Sequence, residues 1–144
     1  MLMLLFLLLW GSVEDSFSEK APSLCPMPPN LVGGAIKDEV QEEYRNHDRV
    51  EYICQVAHIM EGGPYKICIN GDWTGELRCL KPCVVTRETM SKHNVTLRFG
   101  NHNKLYALHN DSIQFRCTAA TTQSGTSGMR RRCNDGVLHM PTCL

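Results

Sequence analysis

The chain has 144 residues, 15 Lys/Arg balanced by 15 Asp/Glu, and eight cysteines. Beyond its first ten residues no long apolar run exists, which excludes a helical membrane domain; a bilayer-spanning helix takes about 20 apolar residues. All eight cysteines fall after residue 20, in two stretches of about 60 residues, near the size at which an apolar core alone becomes marginal.

The N-terminal run MLMLLFLLLW is too short to span a bilayer but fits the apolar core of a secretory signal peptide. The acidic VEDSFSE that follows suits a solvated tether. Residues 1–18 are therefore read as signal peptide and short acidic segment, cleaved near Gly11 or Ser18, which makes the chain secreted and extracellular.

In that oxidising compartment an even number of cysteines reads as a disulfide framework. The cysteines stand at 25, 54, 68, 79, 83, 117, 133 and 143. Their gaps of 29, 14 and 11, then 4, then 34, 16 and 10, repeat one long, medium, short rhythm. The pattern predicts two modules, 23–81 and 82–144, joined at Leu80-Lys81-Pro82. Cys79 and Cys83 have the spacing of half a zinc site, but the other half-site is missing, so no metal or other cofactor is expected.

Along the chain, RVEYIC alternates Val50, Tyr52 and Cys54 inward, and SIQFRC does the same with Ile113, Phe115 and Cys117. NVTLRF is expected to turn Val95, Leu97 and Phe99 inward, which places Asn94 on the same outer face as Thr96 and Arg98. Asn70-Gly71 and Asp135-Gly136 are hairpin-type turns, Gly62-Gly63-Pro64 is a breaker, and SGTSG at 124–128 reads as a loop. A helical period is sustained nowhere; QEEYRNH could make a helical turn but has no apolar stripe. The expected fold is all-β with short strands.

The proline-rich start after Cys25, the alternating strand into Cys54, and C-x-N-G-x-W from Cys68 to Trp73 resemble the complement control protein (sushi) module. That resemblance implies pairing of first with third and second with fourth cysteine: Cys25–Cys68, Cys54–Cys79, Cys83–Cys133 and Cys117–Cys143. It also implies that Trp73 is a core residue covering a disulfide. EYICQ, EGG, CINGDW and CLKPC, followed by CVVTRETMSKHNVTLRF, KLYALHNDSIQFRC and CNDGVLHMPTC, look like the last two modules of the complement factor H group. The factor XIII B chain ends some modules similarly.

The resemblance implies binding: to the activated third complement component and its fragments, and to cell-surface sialic acid or sulfated glycans, without promoting cleavage and in competition with factor H. Gln55 matches a complement-contact position; Arg98, Phe99, Lys104, Leu105 and Tyr106 match the sialic acid surface. Phe99 stands where that group carries tryptophan. Other function classes are a non-catalytic carrier subunit, as in the factor XIII B chain, and a cytokine-binding ectodomain.

Charge supports a polyanion partner independently. Residues 21–82 hold six Lys/Arg against nine Asp/Glu, net −3; residues 83–144 hold eight against three, net +5. Arg130-Arg131-Arg132 is the densest basic cluster, and a secreted chain excludes nucleic acid as the partner. Enzyme motifs such as G-x-S-x-G and H-E-x-x-H are missing, and His109, Asp111 and Ser112 are too close in sequence to converge as a triad. Glu42-Glu43 lies in a solvated run, so no catalytic residue is expected. Asn94-Val95-Thr96 and Asn110-Asp111-Ser112 are N-glycosylation sequons, with Asn94 and Asn110 as acceptors.

Overall fold

A computed structural model describes residues 23–125 and 128–144. The leader reading for residues 1–18 and part of the SGTSG loop lie outside the described residues. Among the described residues no helix is long and apolar enough to cross a membrane.

The first half carries β1 (Gly34–Ile36), β2 (Arg49–Cys54), β3 (Ile59–Gly62), β4 (Tyr65–Ile69), β5 (Asp72–Thr74) and β6 (Leu77–Leu80). They form one sheet in the order β1-β2-β4-β5 and a ribbon β3-β6. Alternation in RVEYIC works as expected: Val50 and Tyr52 are buried, while Arg49 and Ile53 face solvent. The β4–β5 hairpin turns on Asn70-Gly71, both with positive φ (48° and 89°), the geometry an Asn-Gly type I′ turn requires. Gly34 passes so close to the Cys54–Cys79 bridge that a Cβ there would lie 2.9 Å from Cys79 Sγ. Only a residue without a side chain lets β1 pair with β2 at that point.

The second half holds β7 (Cys83–Thr86), α1 (Arg87–Lys92), β8 (Val95–Leu97), β9 (Lys104–Ala107), β10 (Ser112–Cys117) and β11 (Arg130–Arg132). Here β7 pairs with β9, and β11-β10-β8 form a three-stranded sheet. β2 and β10 are each six residues long, end in the second cysteine of their half and share one alternating burial pattern.

The fold is mostly β, with one helix among the described residues that sequence periodicity did not show. α1 is six residues long, under two turns, so no period can establish itself. Thr86 caps it by accepting from the Thr89 N–H at 3.2 Å, Glu88 and Lys92 complement its dipole, and Met90 anchors it in the core. The QEEYRNH segment makes no helix; its Tyr44 is buried and bridges to Cys25.

Each half has its own core. Tyr44, Val50, Tyr52 and Leu77 pack around Cys25 and Cys68 in the first; Val85, Met90, Val95, Leu97, Ile113 and Phe115 pack around Cys83, Cys133 and Cys143 in the second. The disulfides are Cys25–Cys68, Cys54–Cys79, Cys83–Cys133 and Cys117–Cys143, first to third and second to fourth within each half. They close loops with sequence separations of 43, 25, 50 and 26. By chain entropy each is worth about 3.5–4 kcal/mol.

The halves meet at Asp135, in the Asp-Gly turn of the second. Its carboxylate accepts the Lys81 backbone N–H at 2.9 Å and the Arg78 guanidinium, and its own N–H donates to His109 Nδ1 at 3.0 Å. Gly136 in the same turn has φ +82°, and a Cβ there would lie 3.1 Å from the Lys81 Cβ. The Lys81 amide, then the charges of Arg78, Lys81 and His109, outweigh partial desolvation and hold the Asp135 carboxyl below its ordinary pKa.

A depressed carboxyl stabilises the fold above its unfolded pKa of about 4 and loses that effect as the pH falls through its folded value. Asp135→Asn is therefore expected to lower Tm at pH 6, with the gap to the unsubstituted chain closing below about pH 4. Calorimetry across pH checks this; coincident Tm curves would remove Asp135 from the joint.

Candidate ligand-binding surface

The second half's three-stranded sheet brings the basic residues together, and its register decides which ones face outward. In β10 the inward residues are Ile113 and Phe115, so Ser112, Gln114 and Arg116 form the outer row. Opposite residues of antiparallel strands share a face. Ser112 pairs with Arg132, Gln114 with Arg130, and Arg116 with Thr96. Arg130 and Arg132 therefore stand on the outer face beside Ser112 and Gln114. Arg98 follows β8, its N–H donating to the Gln114 carbonyl at 3.0 Å, so it lies across Gln114 from Arg130. The strand spacing puts that row at roughly 10 Å across, with Arg132 and Arg116 about 7 Å away along their strands.

Arg98, Arg116, Arg130 and Arg132 are all exposed. Among the described residues the ion pairs are Lys37–Glu51, Arg78–Glu61, Arg78–Asp135 and Lys92–Glu88, none of which touches this face. Four exposed guanidiniums without a carboxylate partner among the described residues give this face a positive potential.

Arg131 is different. It pairs with Ile113 on the inner side, is half-buried, and its Nε is buried without a hydrogen-bond partner. The arginine triplet thus splits into two outward side chains and one inward. Arg116 joins this row without any motif to single it out, although the alternation of SIQFRC already puts it in line with Ser112 and Gln114.

Phe99 corrects another expectation. β8 ends at Leu97 and the chain turns through Gly100 at φ +81°, so Phe99 does not continue the inward row but is 71% exposed. The Arg98 guanidinium sits 5.5 Å from the Phe99 ring centroid. A shallow depression of about 210 Å³ lies beneath, lined by Leu97, Phe99, His102, Leu105, Ser112 and Gln114 among others. Lys104 and Tyr106 are exposed on neighbouring β9, with the Lys104 ammonium 5.1 Å from the Tyr106 ring, while Leu105 pairs with Val85 and packs against the core. Phe99 and Leu105 therefore line one depression, with Arg98 beside the Phe99 ring, while Lys104 and Tyr106 alternate to the other side of β9 from Leu105.

Gln55 lies in the other half, on the turn after β2. Its N–H donates to the Gly33 carbonyl and its carbonyl accepts from His58, so the side chain is presented beside the exposed Val56. Trp73 is half-buried at the edge of the first core, T-shaped against Tyr44 with centroids 5.0 Å apart, and its Nε1–H donates to the Pro26 carbonyl at 2.8 Å.

Asn94 is not on the strand: its φ is +55°, and its side-chain amide donates to the Cys143 carbonyl at 2.9 Å. The alternation that aligned it with Thr96 and Arg98 stops before it. Asn110 is exposed in a left-handed turn position, its N–H bonded to the Cys133 carbonyl. Among the described residues no three His, Cys, Asp or Glu side chains group to hold a metal, and every cysteine is disulfide-bonded.

The two aromatic side chains are expected to respond differently to substitution. Trp73→Phe loses one hydrogen bond and leaves the Pro26 carbonyl without its partner, at a cost of about 1 kcal/mol. Phe99→Ala removes an exposed ring and is expected to change stability by less than about 0.5 kcal/mol. Denaturant unfolding of both variants checks this; a large loss with Phe99→Ala would mean the ring is structural.

The sushi repeat (SCR repeat) family matches residues 25–79. Complement factor H-related protein 2 of Homo sapiens is 31% identical over 134 residues, 93% of this chain and 50% of that protein. Complement factor H of Bos taurus is 33% identical over 120 residues, 83% of this chain and 10% of that protein. Coagulation factor XIII B chain of Homo sapiens is 31% identical over 130 residues, 88% of this chain and 20% of that protein. The chain spans half the length of the first relative and a fifth or less of the other two.

Proposed function

We propose a function from the premise that this chain belongs to the sushi-repeat (complement control protein) family. It is read as a secreted, non-catalytic binding protein of complement, with a sushi module at 23–81 and a second at 82–144. The second module attaches to anionic surface glycans, sialic acid or sulfated chains. Gln55 in the first contributes to binding the activated third complement component. By occupying both, the chain competes with factor H at surfaces.

The observation that carries the glycan half of this reading is the outer face of β8, β10 and β11. Arg98, Arg116, Arg130 and Arg132 converge there without acidic partners, beside the polar Ser112 and Gln114. Guanidinium groups bind carboxylate and sulfate oxygens with paired hydrogen bonds. The exposed Phe99 ring beside them offers an apolar face to a sugar ring. Arg131, turned inward, is left out of the contact.

Retention on immobilised heparin tests this reading. The unsubstituted chain is expected to elute later than Arg130→Ala/Arg132→Ala, and Arg116→Ala is expected to elute earlier than Arg45→Ala, which lies in the acidic half. Co-elution of all four would remove the face from the ligand site. Gln55→Ala is expected to weaken binding to the activated third component by about 1–3 kcal/mol, since its buried partners would be left unpaired.

Comparable identity to the factor XIII B chain favours a second reading, a carrier subunit that holds an enzyme without acting on it. Capture from plasma separates the two: recovery of complement component fragments supports the first, recovery of an enzyme subunit the second.

A further inference from the structure

The two halves hold opposite unpaired charge. Between β1 and Tyr44 the first half carries Asp38-Glu39-Val40-Gln41-Glu42-Glu43, four carboxylates in six residues. All four are exposed and, among the described residues, none forms an ion pair; the neighbouring Lys37 is committed to Glu51 at 3.5 Å. The Gln41 N–H donates to the Tyr44 hydroxyl at 2.9 Å, so the loop is tied at its base to a buried core residue while its acids project to solvent. Val40, at its middle, is also exposed. The second half presents the unpaired Arg98, Arg116, Arg130 and Arg132. Within one chain no ion pair among the described residues links these sets.

We propose that the arginine face of one copy is a docking surface for the acidic loop 38–43 of a second copy. Charge complementarity selects this occupant: residues 21–82 carry net −3 and residues 83–144 net +5, so copies attract head to tail and repel head to head. The outer arginines span roughly 10 Å across the strands, a patch that a short loop covers. The contact is heterologous, joining two different patches. Each added copy therefore leaves one loop and one face open, and association does not stop at two unless the rotation closes a ring. A contact this small and this charged is weak and salt-sensitive. It also uses the face assigned above to glycans, so an anionic glycan and a second copy exclude each other: surface binding strips the chain to monomers. The inference shares that face with the proposed function but not its ligand.

Sedimentation velocity tests it with three proteins: the unsubstituted chain, a loop variant (Asp38→Asn/Glu39→Gln/Glu42→Gln/Glu43→Gln) and a face variant (Arg116→Ala/Arg130→Ala/Arg132→Ala). At 20 mM NaCl the unsubstituted chain is expected to sediment faster as its concentration rises, an effect lost at 300 mM. Each variant alone is expected to stay monomeric. An equimolar mixture of the two has one intact loop and one intact face, and is expected to form 1:1 dimers and nothing larger. Association of either variant alone, or a mixture that stays monomeric, overturns the proposal. Heparin retention of the loop variant separates this outcome from the glycan reading: retention equal to that of the unsubstituted chain leaves the glycan site standing whatever sedimentation shows.

Discussion

Two crossed disulfides in each half are the constraint on which the rest of the molecule depends. The cysteines at 25, 68, 83, 133 and 143 are at most 1% exposed, so the bridges themselves occupy much of each core. Around them only a few large side chains are fully enclosed, Tyr52 and Phe115 chief among them. A module of about 60 residues buries too little apolar surface to hold many short strands in place unaided. The bridges restrict the unfolded chain, and the strands then need contribute only one inward row each. Their outward rows are released from structural duty.

What fills those outward rows differs between the halves, although the scaffold does not. β2 and β10 share length, burial pattern and a terminal cysteine. On β2 the outward residues are matched locally: Arg49 lies 4.4 Å from the Tyr65 ring centroid, and Glu51 pairs with Lys37. On β10 the outward residues are Ser112, Gln114 and Arg116, flanked by Arg130 and Arg132 on β11 and by Arg98 just past the end of β8. A neutral total charge thus covers one half whose β2 charges are satisfied and one whose charges are left open. At the joint, by contrast, Asp135 is satisfied by an amide and a guanidinium of the first half, so that acid is not available to quench the arginine face.

Much of this was legible in the residues. The period of two in RVEYIC and SIQFRC, and the Asn-Gly and Asp-Gly turns, depend on local geometry alone, and they appear where the sequence puts them. The order of the bridges rested on family likeness, because spacing by itself leaves many pairings open. The misses share a cause: each depends on where an element ends or on what lies across from it. Phe99 turned outward because β8 stops two residues earlier, at Leu97. Asn94 left the strand face because it is itself left-handed, at φ +55°, one residue before β8 begins. α1 exists because Thr86 caps it and Met90 finds the core, and neither is periodic. Arg131 was grouped with its neighbours by sequence and parted from them by pairing with Ile113.

The outer face of β8, β10 and β11 is the proposed anion-binding surface of this chain. Titrating ¹⁵N-labelled protein with a heparin hexasaccharide and following amide and arginine side-chain shifts tests it most directly. Perturbations are expected to centre on Arg98, Gln114, Arg116, Arg130 and Arg132, with Arg131 Nε and the residues around Lys66 and Lys81 unmoved. Perturbations centred on Lys104 and Tyr106 alone, or on the first half, would contradict it.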